Sequence, residues 1–182
     1  MNKRANILVS VDIEGVAGVF HPEQTRAGNG EYERARRWMT EEANAVIRGA
    51  LAAGATAIKV NDSHGGFRNL LPDLLHPDAR MVLGKPRVLG MMGGVDHDID
   101  AVMLVGYHSR AQGRGILAHT TNSFAFARVW LGGQELGEAG LYGALAAEHG
   151  VPVIFGSGDD AFIEENEPLF PHAIFAETKK AY

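Results

Sequence analysis

Asn6-Ile7-Leu8-Val9-Ser10-Val11 runs directly into Asp12-Ile13-Glu14-Gly15. A short, uncharged, β-favouring run of this kind reads as a strand buried on both faces, ended by the first carboxylate. Downstream, Tyr32, Ala35, Met39, Ala43, Val46, Ile47, Ala50 and Leu51 recur three or four apart. That spacing predicts a helix from Glu31 to Ala53, with Gly54 as the glycine just past its end. Ala55–Val60 is the next strand and runs into Asn61-Asp62-Ser63-His64. Further strands are expected at Ala79–Leu83, Ala101–Val105, Val151–Phe155 and Ala173–Ala176, with helices at Glu138–His149 and Asp160–Glu167. Phe124–Leu131, followed by Gly132-Gly133, reads as one arm of a hairpin. Strands alternating with helices predict an α/β fold: a largely parallel sheet flanked by helices, with ligands gathering beyond the carboxyl ends of the strands.

The chain has 182 residues, a length that suits a single domain spanning residues 1–182. Hydrophobic residues make up 46%, ample for a core, and charged residues only 21%, which excludes a disordered acidic segment. The net charge of −5 argues against a nucleic-acid partner, which would require clustered lysine and arginine. Arg34, Arg36 and Arg37 are interleaved with glutamates and read as a solvated helix face. Cysteine is absent, so any metal must be held by His, Asp or Glu. The apolar run before Asp12 is too short for a signal sequence, and no run is long enough to cross a membrane. A soluble, cytoplasmic protein without a membrane partner is the expectation. Glu177–Tyr182 looks like an unfinished element, and the chain reads as a fragment.

The polar residues with chemical capacity fall where strands end. The first strand delivers Asp12 and Glu14, the second Asp62 and His64, and Ala101–Val105 delivers His108. His119 follows a glycine-rich stretch, and Glu138 opens a helix. In an extended chain Asp12 and Glu14 point the same way, roughly 6.5 Å apart. One carboxylate of such a pair can bridge two metal ions while the other binds one of them. Two-metal hydrolases hold ions about 3.5–4 Å apart to clamp a water and polarise the scissile carbonyl. Asp-x-Glu after a strand is common, and a lone histidine at a strand end is more often a hydrogen-bonding residue. The joint occurrence at one sheet edge is what lifts the group above its members. His21, His76, His97, His149 and His172 read as ordinary surface or turn residues.

Gly156-Ser157-Gly158-Asp159-Asp160-Ala161 follows a strand and precedes a helix, matching G-x-G-x-x-A. That pattern cradles a pyrophosphate on backbone N–H groups. Here two aspartates occupy the phosphate-facing turn and would repel a dianion, so the stretch reads as a tight turn with Asp159 or Asp160 capping the next helix.

Ser10-Val11-Asp12-Ile13-Glu14-Gly15, Met39-Thr40-Glu41-Glu42-Ala43-Asn44, Asn61-Asp62-Ser63-His64, Gly106-Tyr107-His108, Ala118-His119, Gly137-Glu138 and Gly158-Asp159-Asp160 occur in one order. Together they resemble the DppA-type zinc D-aminopeptidases, once described as dipeptide-transport proteins. The resemblance runs from about Ile7 to the last residues. It implies a binuclear zinc site, two ions per chain. Asp12 would bridge both ions, Glu14 and His108 would complete one, and His64 and Glu138 the other. His119 matches the family's catalytic histidine, usually described as the nucleophile; proton transfer to the leaving amine is the alternative. Family members continue for roughly another third of their length beyond the position of Tyr182.

The resemblance implies an aminopeptidase acting on short peptides with an N-terminal D-amino acid, in a ring-like homo-oligomer. Glu41 or Glu42 is a candidate for the substrate's ammonium group, with helix-surface charge the simpler reading. The rival functions are another two-metal hydrolase, an amidase or a phosphoesterase, and an inactive metal-binding module. A phosphate substrate would require nearby cations, for which Arg110 and Arg114 are the candidates. Phe124, Phe126, Val129, Trp130 and Leu131 are apolar on both strand faces, so this stretch is either sandwiched in the core or covers a neighbouring subunit.

Overall fold

A computed structural model describes residues 5–182. Its centre is the strand read first: β1 (Ala5–Val11), fully buried over its last five residues. Because β1 is covered on both faces, its side chains divide between two cores. Ile7, Val9 and Val11 pack with Tyr32, Met39, Ala43 and Ile47 of α1 (Gly30–Ala52). Leu8 packs on the other face with Val102, Leu104, Met92 and Phe162.

The remaining main-sheet strands are β2 (Ala55–Asp62), β3 (Ala79–Val82), β4 (Ala101–Val105), β7 (Val153–Asp159) and β8 (Ile174–Lys179). They form one sheet in the order β3-β2-β1-β4-β7-β8, and every pairing is parallel. The expected α/β class is therefore observed. Parallel neighbours require crossovers, which α1, α2 (Glu138–Glu148) and α3 (Asp160–Asn166) help to supply. Helix α1 covers one face; α2 and α3 lie against the other core.

The ends of these elements follow local chemistry. Asn29 caps α1 by accepting from the Tyr32 amide at 2.9 Å. Gly54, at φ +99°, lets the chain turn back after α1. Asp159 caps α3, accepting from the Phe162 amide at 2.8 Å and from the Ile116 amide at 2.6 Å. Asp159 is thus the helix cap expected of the G-x-G-x-x-A stretch, but residues 156–159 continue strand β7 into the helix instead of forming a tight turn.

Several elements differ from the sequence expectation. Strands β7 and β8 reach further toward their carboxyl ends than the apolar runs suggested, because parallel pairing carries polar residues such as Ser157 and Lys179. Phe124–Leu131 is mostly irregular: only Trp130–Leu131 (β5) pairs, antiparallel, with Gln134–Glu135 (β6) across Gly132-Gly133. The stretch is not part of the core. Phe124, Phe126, Trp130 and Leu131 are exposed. Among the described residues, no helix is long and apolar enough to cross a membrane.

Candidate metal centre

The sheet reverses its winding between β1 and β4, where a parallel α/β sheet opens a crevice at its carboxyl edge. Register brings the site to that point. Val11 stands opposite both Asp62 and Val105, so β1, β2 and β4 end level with one another. The Asp12 amide then donates to the Val105 carbonyl, and the Ser63 amide to Val11, both at 2.8 Å. Asp12, His64 and His108 consequently leave the sheet together. Close backbone contact holds the two central loops in register. A Cβ on Gly15 would lie 1.8 Å from the Tyr107 carbonyl oxygen, and Gly106, at φ +67°, passes so near Asp12 that a Cβ would meet its carbonyl at 2.4 Å.

The six residues that the resemblance implies, Asp12, Glu14, His64, His108, His119 and Glu138, meet at this edge, whereas Asp62 does not join them. His64 Nδ1 approaches Asp12 Oδ1 at 3.3 Å and Glu14 Oε2 at 3.0 Å. His108 Nε2 lies 3.5 Å from both Asp12 Oδ2 and Glu138 Oε1, and His119 Nε2 also lies 3.5 Å from Glu138 Oε1. The His108 and His119 rings stack, 4.1 Å between centroids and 11° between planes. Potential ligand atoms of Asp12, Glu14 and His108 lie within 4.8 Å of one another, as do those of His108, His119 and Glu138. Asp12, Glu14, His108 and Glu138 are buried; His64 and His119 are partly so. Asp12, His64, His119 and Glu138 line a cavity of about 230 Å³, which none of the five histidines outside the cluster lines.

Each imidazole is anchored through its outer nitrogen. His64 Nε2 is 2.8 Å from the Thr25 carbonyl, His108 Nδ1 2.9 Å from that of Ser109, and His119 Nδ1 2.9 Å from that of Leu117. A carbonyl only accepts, so that nitrogen carries the proton. The inner nitrogen of the neutral ring is then a lone pair aimed at carboxylate oxygens. Such an arrangement requires a positive charge between them, and metal-binding histidines are oriented in this way. Without a metal, protons supply the charge. Burial alone would lower the His64 and His108 pKa values, but the surrounding Asp12, Glu14 and Glu138 carboxylates hold both well above the ordinary histidine range. Burial likewise opposes the charged form of Asp12, yet His108 and His64 pull its carboxyl well below the usual range. His108 Nε2 and Glu14 Oε2 are buried without an aligned hydrogen bond. Orphaned donor atoms facing a carboxylate–imidazole cluster fit a bound divalent cation, and this oxygen and nitrogen set suits zinc.

Other residues support the cluster without joining it. Asp62 faces its own loop, accepting from the Asn69 side chain at 2.8 Å and the Leu70 amide at 2.7 Å, which closes the turn that carries His64. Glu138 Oε1 accepts from the Thr121 amide at 2.7 Å. Behind the site, Ser10 Oγ sits 2.6 Å from both Ser63 Oγ and Tyr107 Oη. Lys179, in the tail read as unfinished, donates to the carbonyls of Glu14, Val16 and Val19, and Thr178 Oγ1 donates to that of Gly15 at 2.6 Å. Burial pushes the Lys179 ammonium down to about 8. No motif marked these two residues; only the parallel pairing of β8 brings them there.

The candidates for other ligands lie elsewhere. Glu41 is exposed, and Glu42 accepts from the Ala17 amide at 2.7 Å instead of lining the cavity. Arg114 pairs on the surface with Asp160 and Glu164 at 3.0 and 2.8 Å. Arg110 lines a separate cavity with Arg114. A phosphate-binding site is therefore not favoured.

Fold and cluster together define an α/β protein with a candidate metal centre at the switch point of its sheet. The profile of the D-aminopeptidase family matches residues 5–182, and the chain belongs to that family. It is 35% identical over 174 residues to a D-aminopeptidase of Bacillus subtilis (strain 168), covering 96% of this chain and 63% of that protein. The solved structure of the Zn-dependent D-aminopeptidase DppA from Bacillus subtilis, described as a self-compartmentalizing protease, matches with a TM-score of 0.94 and 34% identity. That match covers 97% of this chain and 64% of that one. The chain thus spans a little under two thirds of the length of these relatives.

Proposed function

We propose that this chain carries the catalytic centre of a zinc-dependent aminopeptidase that hydrolyses short peptides bearing an N-terminal D-amino acid. The observation that carries this reading is the convergence of six residues, with all three imidazoles anchored outward on backbone carbonyls and facing carboxylates inward. In this reading Asp12 would be shared between two ions, Glu14 and His108 would complete one set, and His64 and Glu138 the other. The proximity of Asp12, Glu14 and His108 supports the first set. Zinc, when bound, supplies Lewis acidity that polarises a carbonyl and acidifies water.

The chain's own groups supply orientation and proton transfer. His119, with Nδ1 fixed on Leu117, exposes Nε2 toward the cavity. Protonated there, it can give that proton to the amine nitrogen as the amide C–N bond breaks. This role is preferred to direct attack by the ring, because water acidified by bound zinc would serve as the nucleophile.

The test compares D-Ala-D-Ala, L-Ala-L-Ala and a phosphomonoester on one zinc-loaded sample. Cleavage of the first well ahead of the others is expected. Equal rates on the D- and L-dipeptides would overturn the stereochemical reading, and turnover of the phosphomonoester alone would overturn the peptidase reading.

A further inference from the structure

The metal-centre cavity has one basic side chain besides its histidines. Lys85, in the loop after β3, lines it together with Phe67, Met91 and Tyr142, while Asp12 and Glu138 line it with His64 and His119. The ammonium of Lys85 stands 5.0 Å from the centroid of the Phe67 ring. That ring is itself held beneath the Arg87 guanidinium at 4.1 Å. Arg87 is committed elsewhere: it donates to the Asn61 side chain and to the carbonyls of Asp62 and Val82. Among the described residues, the lysines and arginines that pair with carboxylates are Arg36, Lys59, Arg114, Arg128 and Lys180. Lys85 is not one of them. A cation is thus oriented by an aromatic platform at the mouth of an otherwise acidic cavity, with its charge unpaired.

We propose that Lys85 binds the free α-carboxylate of a short peptide, making the cavity selective for zwitterionic dipeptides over longer or carboxyl-blocked chains. The proposal rests on the aminopeptidase reading and deepens it. A dipeptide carries an ammonium at one end and a carboxylate at the other, and spans roughly 7 Å when extended. Lys85 offers the carboxylate end a charge of opposite sign, and the cavity volume of about 230 Å³ lies below the range typical of drug-sized ligands. Lys85 would act at the carboxylate by a charge-assisted hydrogen bond, leaving the scissile amide to the metal-centre residues. Arg26 is the rival cation. It lines a neighbouring cavity with Glu14, His64 and His119, but that space is larger, about 460 Å³, and opens beside the exposed Phe124. No aromatic ring orients Arg26 among the described residues.

The test uses the zinc-loaded full chain with D-Ala-D-Ala and its carboxyl-terminal amide, in the wild type and in Lys85→Met, Lys85→Arg and Arg26→Met. Lys85→Met should raise KM for the free acid about tenfold while changing the amide little, and Lys85→Arg should restore most of the difference. Calorimetric binding of both peptides provides a readout independent of turnover and should show the same acid-specific loss. Equal effects on acid and amide would overturn the proposal, as would an acid-specific loss in Arg26→Met with none in Lys85→Met. Acid-specific binding that depends on Lys85, without cleavage of either peptide, would keep the proposal and reject the catalytic reading. Failure of the wild type to bind either peptide would reject both.

Discussion

Asp12 receives an imidazole on each of its oxygens, His64 on one and His108 on the other. No other residue of the cluster is approached from both sides in this way, so removing it should dismantle the whole centre. Metal analysis of reconstituted protein should find about two zinc ions per wild-type chain, given three protein ligands per ion with one shared. Asp12→Ala should retain neither, whereas His64→Ala should mainly weaken one; an unchanged zinc content in Asp12→Ala would refute the bridging role. His119 separates two other possibilities. If it moves a proton, His119→Ala should keep its zinc and lose turnover by about 10²- to 10⁴-fold. Loss of metal in that variant would make His119 a ligand, a position its distance from Glu138 also permits. Gly15 has no chemical role, yet any side chain there overlaps the Tyr107 carbonyl. Gly15→Ala should cost on the order of 2–3 kcal/mol in denaturant unfolding and weaken zinc binding, because relief of the clash moves the Asp12 and Glu14 loop.

At the scale of elements, β8 has a consequence out of proportion to its position at the edge of the sheet. Lys179 reaches from it to three carbonyls of the loop that follows Asp12, and Thr178 to a fourth. Lys179→Met keeps most of the stem but leaves those three acceptors short of a donor. The expected loss is about 2–3 kcal/mol by urea unfolding, with faster amide exchange confined to Glu14–Val19. Unchanged exchange in that loop would show that the lysine does not hold it. The same element shows what sequence can and cannot reveal. Apolar runs and helical spacing were enough to locate β1, α1, β2 and β4, because burial on two faces or one leaves a periodic trace. The strand ends were legible too, so Asp12, Glu14, His64 and His108 were identified where the sheet delivers them. Lys179 and Lys85 left no such trace. Each is one polar residue in a short polar stretch, and its importance arises only from what parallel pairing or loop folding sets opposite it. Phe124–Leu131 misled for the opposite reason: its apolar residues suggested a strand, but among the described residues little covers them.

Those uncovered residues frame the question of the whole molecule. Phe124 is 94% exposed and Trp130 57%, with Phe126 and Leu131 about half exposed beside them. Apolar side chains concentrated in one exposed segment of a soluble domain mark contact with another surface more often than with water. Phe124 also borders the cavity that holds Glu14, His64 and His119, so whatever covers this segment also narrows the approach to the metal centre. A second copy of the chain is the expected cover, in keeping with the self-compartmentalizing description of the Bacillus relative. Light scattering at micromolar concentration should therefore give a mass well above the 19.5 kDa of one chain. Replacing Phe124 and Trp130 together with serine should shift the population toward single chains while leaving zinc content unchanged, since neither side chain is among the candidate ligands. A wild-type chain that is monomeric and fully active under these conditions would show that assembly is not needed to build the site. If only a longer chain associates, a segment outside these 182 residues, and not this arm, would hold the subunits together.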